Sequence, residues 1–409
     1  MRVHIPTSFI TLVMTIAVVT AITDMACHAA AAPIVGADIR PVRVAAERGS
    51  VESEIDLGMA YVTGRGVEQD KKLAAYWFEK AAGAGNPVAE NELGYFYQVG
   101  FGVPADAVRA VHWYQLASAG GLPAAKVNLG VAYVWGAGVQ KNESLALKLF
   151  KEAADKDSGT GACYLGDMYY FGVGVEQDIA AAEHWYVVGT KLRDPRAEFN
   201  LATLELKNAQ PEQSLSKVAD YFRESASAGY IPAMHSLGRL LIENPKLARS
   251  SQEPLTLLKK SANAGNWKSS VQLGILARDG ALVPQDSKVA YYNMAVAGLQ
   301  GGSEARSAVE NDVRILSAKL GSSATATIDA EASTWFSDHR SILEFAYDGE
   351  TNRKRSHAFA LAQPEPGTHA GRLITPPIGH EVPSQSTSRR SPPVTGESED
   401  PIAKSFLEK

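Results

Sequence analysis

Few residues in this chain could do chemistry, and their spacing limits what each can be. Glycine pairs recur at Gly64-x-Gly66, Gly100-x-Gly102, Gly136-x-Gly138 and Gly172-x-Gly174. A phosphate-cradling loop needs a third glycine and a strand running into a helix. Neither accompanies these pairs, so they are expected to be structural turns. His112 and His184 each precede a tryptophan, but they stand two repeats apart in the pattern described below. A metal ion needs its ligands within ~2 Å, so this pair is expected to be ordinary surface side chains. Cys163 lies on an apolar stretch and reads as a small buried thiol rather than a redox sensor. Asp70, Asp106 and Asp178 form an acidic ladder that helix capping explains fully. No Gly-Lys-Ser/Thr, His-Glu-x-x-His, Gly-x-Ser-x-Gly or Cys-x-x-Cys motif occurs. We therefore expect no catalytic, cofactor-binding or metal-binding residue, and a protein that is not an enzyme.

The elements behind these residues repeat. Gly58, Gly94, Gly130, Gly166, Ala202, Gly238 and Gly274 are each 36 residues after the last, a period that signals a stacked array. Within a unit the pattern is a helix, a Gly-rich turn, a second helix and a glycine stop. Asn86 and Pro87 illustrate the start of a first helix, as a cap and a first-turn proline. Mid-helix glycine costs ~1 kcal/mol relative to alanine, so the Gly58 column implies that a neighbour must approach closely. Gly64, Gly100, Gly136, Gly172, Asn208, Asn244 and Gly280 are expected to end the first helix in the left-handed conformation. Val67, Val103, Val139, Val175, Pro211, Leu247 and Val283 plug the turn. Asp70, Asp106, Asn142, Asp178, Ser214, Ser250 and Asp286 are expected to cap the second helix. Ala45 to Gly49 matches the ends of later units and reads as a half-repeat cap.

With 45% hydrophobic residues and a net charge of −5, the chain can bury a continuous core but carries no general field for nucleic acid or anionic membrane. Met1, Arg2 and His4, the apolar run from Phe9 to Ile22, and small residues from Ala26 to Ala32 have the layout of a secretory signal. The expected order is signal peptide 1–31, N-terminal segment and half-repeat 32–49, seven repeats 50–302, capping helices 303–345 and a disordered Pro/Ser-rich tail 346–409. The expected location is the periplasm, with a signal anchor or a lipid on Cys27 as alternatives. After cleavage Cys163 is the remaining cysteine, so no internal disulfide can staple the fold.

The combination Leu-Gly, Tyr, Gly-x-Gly-Val-x-x-Asp, Trp and Ala-Ala-x-x-Gly in 36 residues resembles the Sel-one-like repeat, a relative of the tetratricopeptide repeat. The resemblance covers roughly residues 45 to 302. It implies an all-α fold, a right-handed α/α superhelical solenoid of antiparallel helix pairs that binds another protein or peptide in its concave groove. Within the family the chain is similar to periplasmic regulators that restrain a sensor kinase controlling exopolysaccharide or envelope functions. One alternative is a structural subunit of a polysaccharide-export or cell-wall assembly. A lesser one is a β-lactam-binding, enzyme-like member, but members linked to that activity carry a disulfide in every repeat.

If first helices line the groove, as the resemblance implies, the positions two before, one after and five after the Gly58 column share one face. In units two to four that face offers Tyr95, Val99, Val131, Trp135, Tyr164 and Phe171, the candidate partner-binding stripe. In units five to seven it carries Asn200, Thr203, Lys207, Ser236, Arg239, Glu243, Gln272 and Asp279.

Overall fold

In the computed structural model, the residues described are 38–208 and 213–339. All lie in the first of two units of the chain, residues 1–358. The second unit, 359–409, lies outside the described residues, as do the expected signal segment and Pro/Ser-rich tail. Among the described residues every regular element is helical. A short helix α1 (Arg40–Glu47) precedes seven pairs. These are α2 (Val51–Thr63) with α3 (Lys71–Gly83), α4 (Pro87–Val99) with α5 (Ala107–Ala119), and α6 (Pro123–Trp135) with α7 (Glu143–Ala154). Next come α8 (Gly159–Phe171) with α9 (Ile179–Lys191), α10 (Pro195–Asn208) with α11 (Gln213–Ser227), α12 (Ile231–Glu243) with α13 (Glu253–Asn263), and α14 (Trp267–Asp279) with α15 (Ser287–Gln300). Two longer helices follow, α16 (Gly302–Leu320) and α17 (Ser322–Asp338). Each helix packs on the one before and the one after it, which makes the array a helical solenoid with a spacing of about 36 residues.

In units one to four the Gly58 column exists because a ring from the paired helix lies where a Cβ would stand, and in units six and seven Leu258 and Met294 take that place. A methyl on Gly58, Gly94 or Gly130 would come 2.9, 2.7 or 2.6 Å from Phe78, Tyr114 or Phe150. Phe78, Tyr114, Phe150, Tyr186 and Phe222 occupy one place in five successive second helices, and each is 3% exposed or less. Burying such a side chain is worth ~1.5–3 kcal/mol, so this ladder of rings against small residues is the centre of the core. Val309 and Leu316 of α16 and Ile328 of α17 extend it past the last pair.

Helix ends follow the expected chemistry in the regular units. Asp70, Asp106, Asn142, Asp178 and Asp286 each accept hydrogen bonds from backbone N–H groups in the first turn of the second helix. Gly64, Gly100, Gly136, Gly172 and Gly280 close the first helix with φ between 68° and 78°. Units five and six depart from the pattern. Asn244 is not left-handed but sits at φ −131°, ψ 73°, since the Pro245 ring disfavours helical backbone at the residue before it. Ser250 does not cap α13, which starts later, at Glu253, behind Gln252. Ser214 falls inside α11 rather than before it, and α10 runs through Asn208. Pro211 lies outside the described residues.

The second glycine of each pair has a role that the sequence reading did not assign. A Cβ on Gly102 would fall on the backbone carbonyl of Lys71, and one on Gly138 on that of Ala107. Each turn thus seats directly on the first turn of the preceding unit's second helix, and only glycine is thin enough. In unit seven the position is Leu282, held at φ 63° and 48% exposed. Unit six cannot offer the same seat, since its second helix begins two residues later in register.

Candidate functional site

Successive first helices touch each other through their side chains. Asn128 Nδ2 donates to Asn91 Oδ1 at 2.9 Å, Asn200 Nδ2 donates to Asp167 Oδ1 at 2.9 Å, and His235 Nδ1 pairs with Ser269 Oγ at 3.0 Å. Lys207 Nζ also donates to the Tyr170 hydroxyl. These bonds tie together the first helices of units two and three, four and five, and six and seven. Side chains at the three expected positions of each helix make up the first-helix face.

The stripe residues divide into two groups there. Tyr95 and Tyr164 are 9% and 8% exposed. Tyr164 stacks on Phe150, with centroids 4.9 Å apart and planes at 11°, and the Arg196 guanidinium lies 4.0 Å from its ring centre. These two tyrosines are consumed by packing. Val99, Val131, Trp135 and Phe171 are half-buried. Val99 and Val131 lean on the core, whereas Trp135 and Phe171 belong to no core cluster of the described residues. Phe171 contacts Tyr170 edge-on at 4.9 Å.

The polar half is mostly self-paired. Asn200 and Thr203 are half-buried, and Arg239 pairs with Glu243 at 3.2 Å and Asp279 with Arg278 at 2.6 Å. Ser236 and Gln272 are half-buried beside them. His235 is forced neutral: burial pushes its pKa down to about 4, helped by Arg239 and Lys268.

Between units four and five lies a buried polar node that motif reading missed. Arg196, 1% exposed, pairs through Nη2 with Asp167 Oδ2, while Tyr186 donates to Asp167 Oδ1 at 2.9 Å. Asp194 caps α10 through the Arg196 and Ala197 N–H groups and accepts from Thr160 Oγ1 at 2.9 Å. Arg196 Nη1 is buried without a partner. The signal available in sequence was Asp167 itself, a carboxylate at the position held by Tyr95 and Val131 in the two preceding units. Asp167, Tyr170, Phe171, Tyr186, Asn200, Thr203 and Leu204 line a cleft of about 20 Å³, room for one water.

Little of this arrangement suits bond-making. Cys163 is fully buried, and burial drives its thiol pKa well up, away from the reactive thiolate. His112 and His184 are exposed and rest edge-on against Trp113 and Trp185. Among the described residues no group of three His, Cys, Asp or Glu side chains is placed to hold a metal ion. None of the described helices is long and apolar enough to cross a membrane. What the face offers is shape, two half-exposed aromatic rings and patterned charge.

A family model described as Sel1 repeat matches residues 51–86, 87–122, 123–158 and 160–187. Among solved structures, the chain is 22% identical to a protective antigen present in uropathogenic Escherichia coli strains and displaying an SLR fold. That match has a TM-score of 0.58 and covers 82% of this chain and 68% of the other. A Sel1 repeat protein from Oxalobacter formigenes is 26% identical, with a TM-score of 0.48, over 56% of this chain and 100% of that one. No curated protein matches the sequence.

Proposed function

Four Sel1 repeats occupy residues 51–187 of this chain, and on that premise we propose that it is an exported, periplasmic scaffold or regulator that holds another protein against its first-helix face and does no chemistry. Stacked repeats of this kind create extended surfaces suited to protein binding. One observation carries the placement: Trp135 and Phe171, at the same position of consecutive units, keep part of their apolar surface outside the core. Exposed aromatic side chains of this sort are the usual anchors of a protein interface. Val99 and Val131 flank them, and the buried Tyr95 and Tyr164 support the face from beneath. The finer role, restraint of a sensor kinase that controls exopolysaccharide or envelope functions, rests on analogy within the family.

In-cell crosslinking of the full chain, followed by mass spectrometry, tests the reading. A partner captured by the native chain and lost from Trp135→Ala and Phe171→Ala supports it. A partner retained equally by both variants removes the stripe as the contact. Cell fractionation checks export, and a chain that stays cytosolic with residues 1–31 intact sinks that part.

A further inference from the structure

The charge on the first-helix face changes along the array, and this points to the chemistry of the partner. Four positions per helix share the face: the three described above and the residue one turn before them. In α2 these include Glu52 and Asp56, both exposed, and in α4 they include Glu92. Across units one to four the same positions hold no lysine or arginine. Beyond unit four they carry Lys207, Arg239 and Lys268 together with Glu243, Asp279 and the buried Arg196, a mixed set. Glu52 and Asp56 lie one helical turn apart, so their charges repel. Desolvation of the Asp56 carboxyl, reinforced by Glu52, raises its pKa above the ordinary aspartate value. A cation arriving from outside would relieve that repulsion. Farther along the same face stand the apolar groups Val99, Val131, Trp135 and Phe171.

We propose that units one to four bind an extended segment of a partner protein that carries lysine or arginine at one end and large apolar side chains at the other. The basic end would lie against Glu52 and Asp56, and the apolar end against Trp135 and Phe171. Packed helices are ~8–10 Å apart, so the three steps from unit one to unit four span roughly 30 Å. An extended chain covers ~3.3 Å per residue, which makes the segment about nine residues long.

This inference rests on the proposed use of the first-helix face, and its test separates the two. A phage-displayed library of random 12-residue peptides is panned against the immobilised full chain. Selected peptides are then synthesised and titrated by fluorescence anisotropy against the native chain, Glu52→Gln/Asp56→Asn, Trp135→Ala and Phe171→Ala. Thermal melts followed by circular dichroism confirm that each variant is folded. We expect peptides that combine Lys or Arg with aromatic or large aliphatic residues. Their affinity should fall at least about fivefold in Glu52→Gln/Asp56→Asn, fall with added salt, and fall at least about tenfold in either aromatic variant. Peptides without basic residues, or indifferent to the double substitution yet dependent on Trp135, would overturn the basic partner and leave the face standing. Peptides indifferent to Trp135 and Phe171 would overturn the face itself. Selection of no peptide would overturn both.

Discussion

Glu198 offers a sharp test of the reasoning, because one pair of positions changes sign along the array. Glu54 pairs with Lys80 at 3.2 Å in unit one, and Lys126 pairs with Glu152 in unit three. The same pair of positions in unit five holds Glu198 and Glu224. Glu198 is 6% exposed. Burial, then Glu224, then Asp194 push its pKa from 4.5 up to about 7, and Arg193 only partly opposes them. In the unfolded chain the group ionises near 4.5, so folding is unpenalised below that pH. Stability then falls as pH rises from about 4.5 to about 7, and the loss is complete above 7. At ~1.4 kcal/mol per pKa unit the loss is up to about 3 kcal/mol, less to the extent that solvent screens the exposed Glu224. Glu198→Gln keeps the shape and removes the charge. Urea unfolding followed by circular dichroism should show native and variant equal near pH 4.5, with the variant more stable by about 1–3 kcal/mol at pH 8. Glu224→Lys should recover a smaller part, since burial is the larger cause and Glu224 is exposed. A stability difference that stays constant between pH 4.5 and 8 would refute the assignment.

Other expectations concern packing and backbone. Gly130→Ala forces a methyl toward Phe150 and should cost about 1–3 kcal/mol, whereas Gly83→Ala, with open space around its Cβ, should gain about 0.5–1 kcal/mol; melting temperatures moving in the same direction would refute the ring-against-glycine account. Asp157 is left-handed at φ 60°, so Asp157→Gly should raise stability by about 0.5–1 kcal/mol, read as a higher melting temperature. Arg196→Met strands a buried Asp167 carboxylate and should cost about 3–5 kcal/mol. Adding Asp167→Asn should recover a measurable part of that loss, and equal losses in the single and double variants would show that the charge pair is not the cause.

The sequence disclosed most of what is local. A cap side chain, a left-handed glycine and a small residue opposite a ring each leave a one-letter trace at a fixed interval, so Asp70, Gly64 and Gly58 announce their roles. Asn244 and Ser250 were misread because the column predicts what a position does on average, while Pro245 acts on its own neighbour. Asp157 and Arg193 stand where other units carry the stop glycine, yet the backbone there is left-handed all the same, at φ 60° and 58°. Relations between units were harder to read. The Asp167–Arg196 pair spans 29 residues, and the seat of Gly102 on Lys71 joins separate turns, so neither has a signature within one repeat. Burial of Tyr95 and Tyr164 depended on side-chain direction, which face geometry alone does not give.

The backward seating of each Gly-x-Gly turn makes the array a sequence of one-way couplings. Each unit is indexed by its predecessor, so a copy of unit two, three or four can follow any unit whose second helix begins on time. None could follow unit six on the same terms, since its second helix begins late. Lengthening by duplication is therefore open after units whose second helix starts on time and closed after unit six. A registry error introduced in unit one would be handed forward turn by turn through units two to four, where this seating ends.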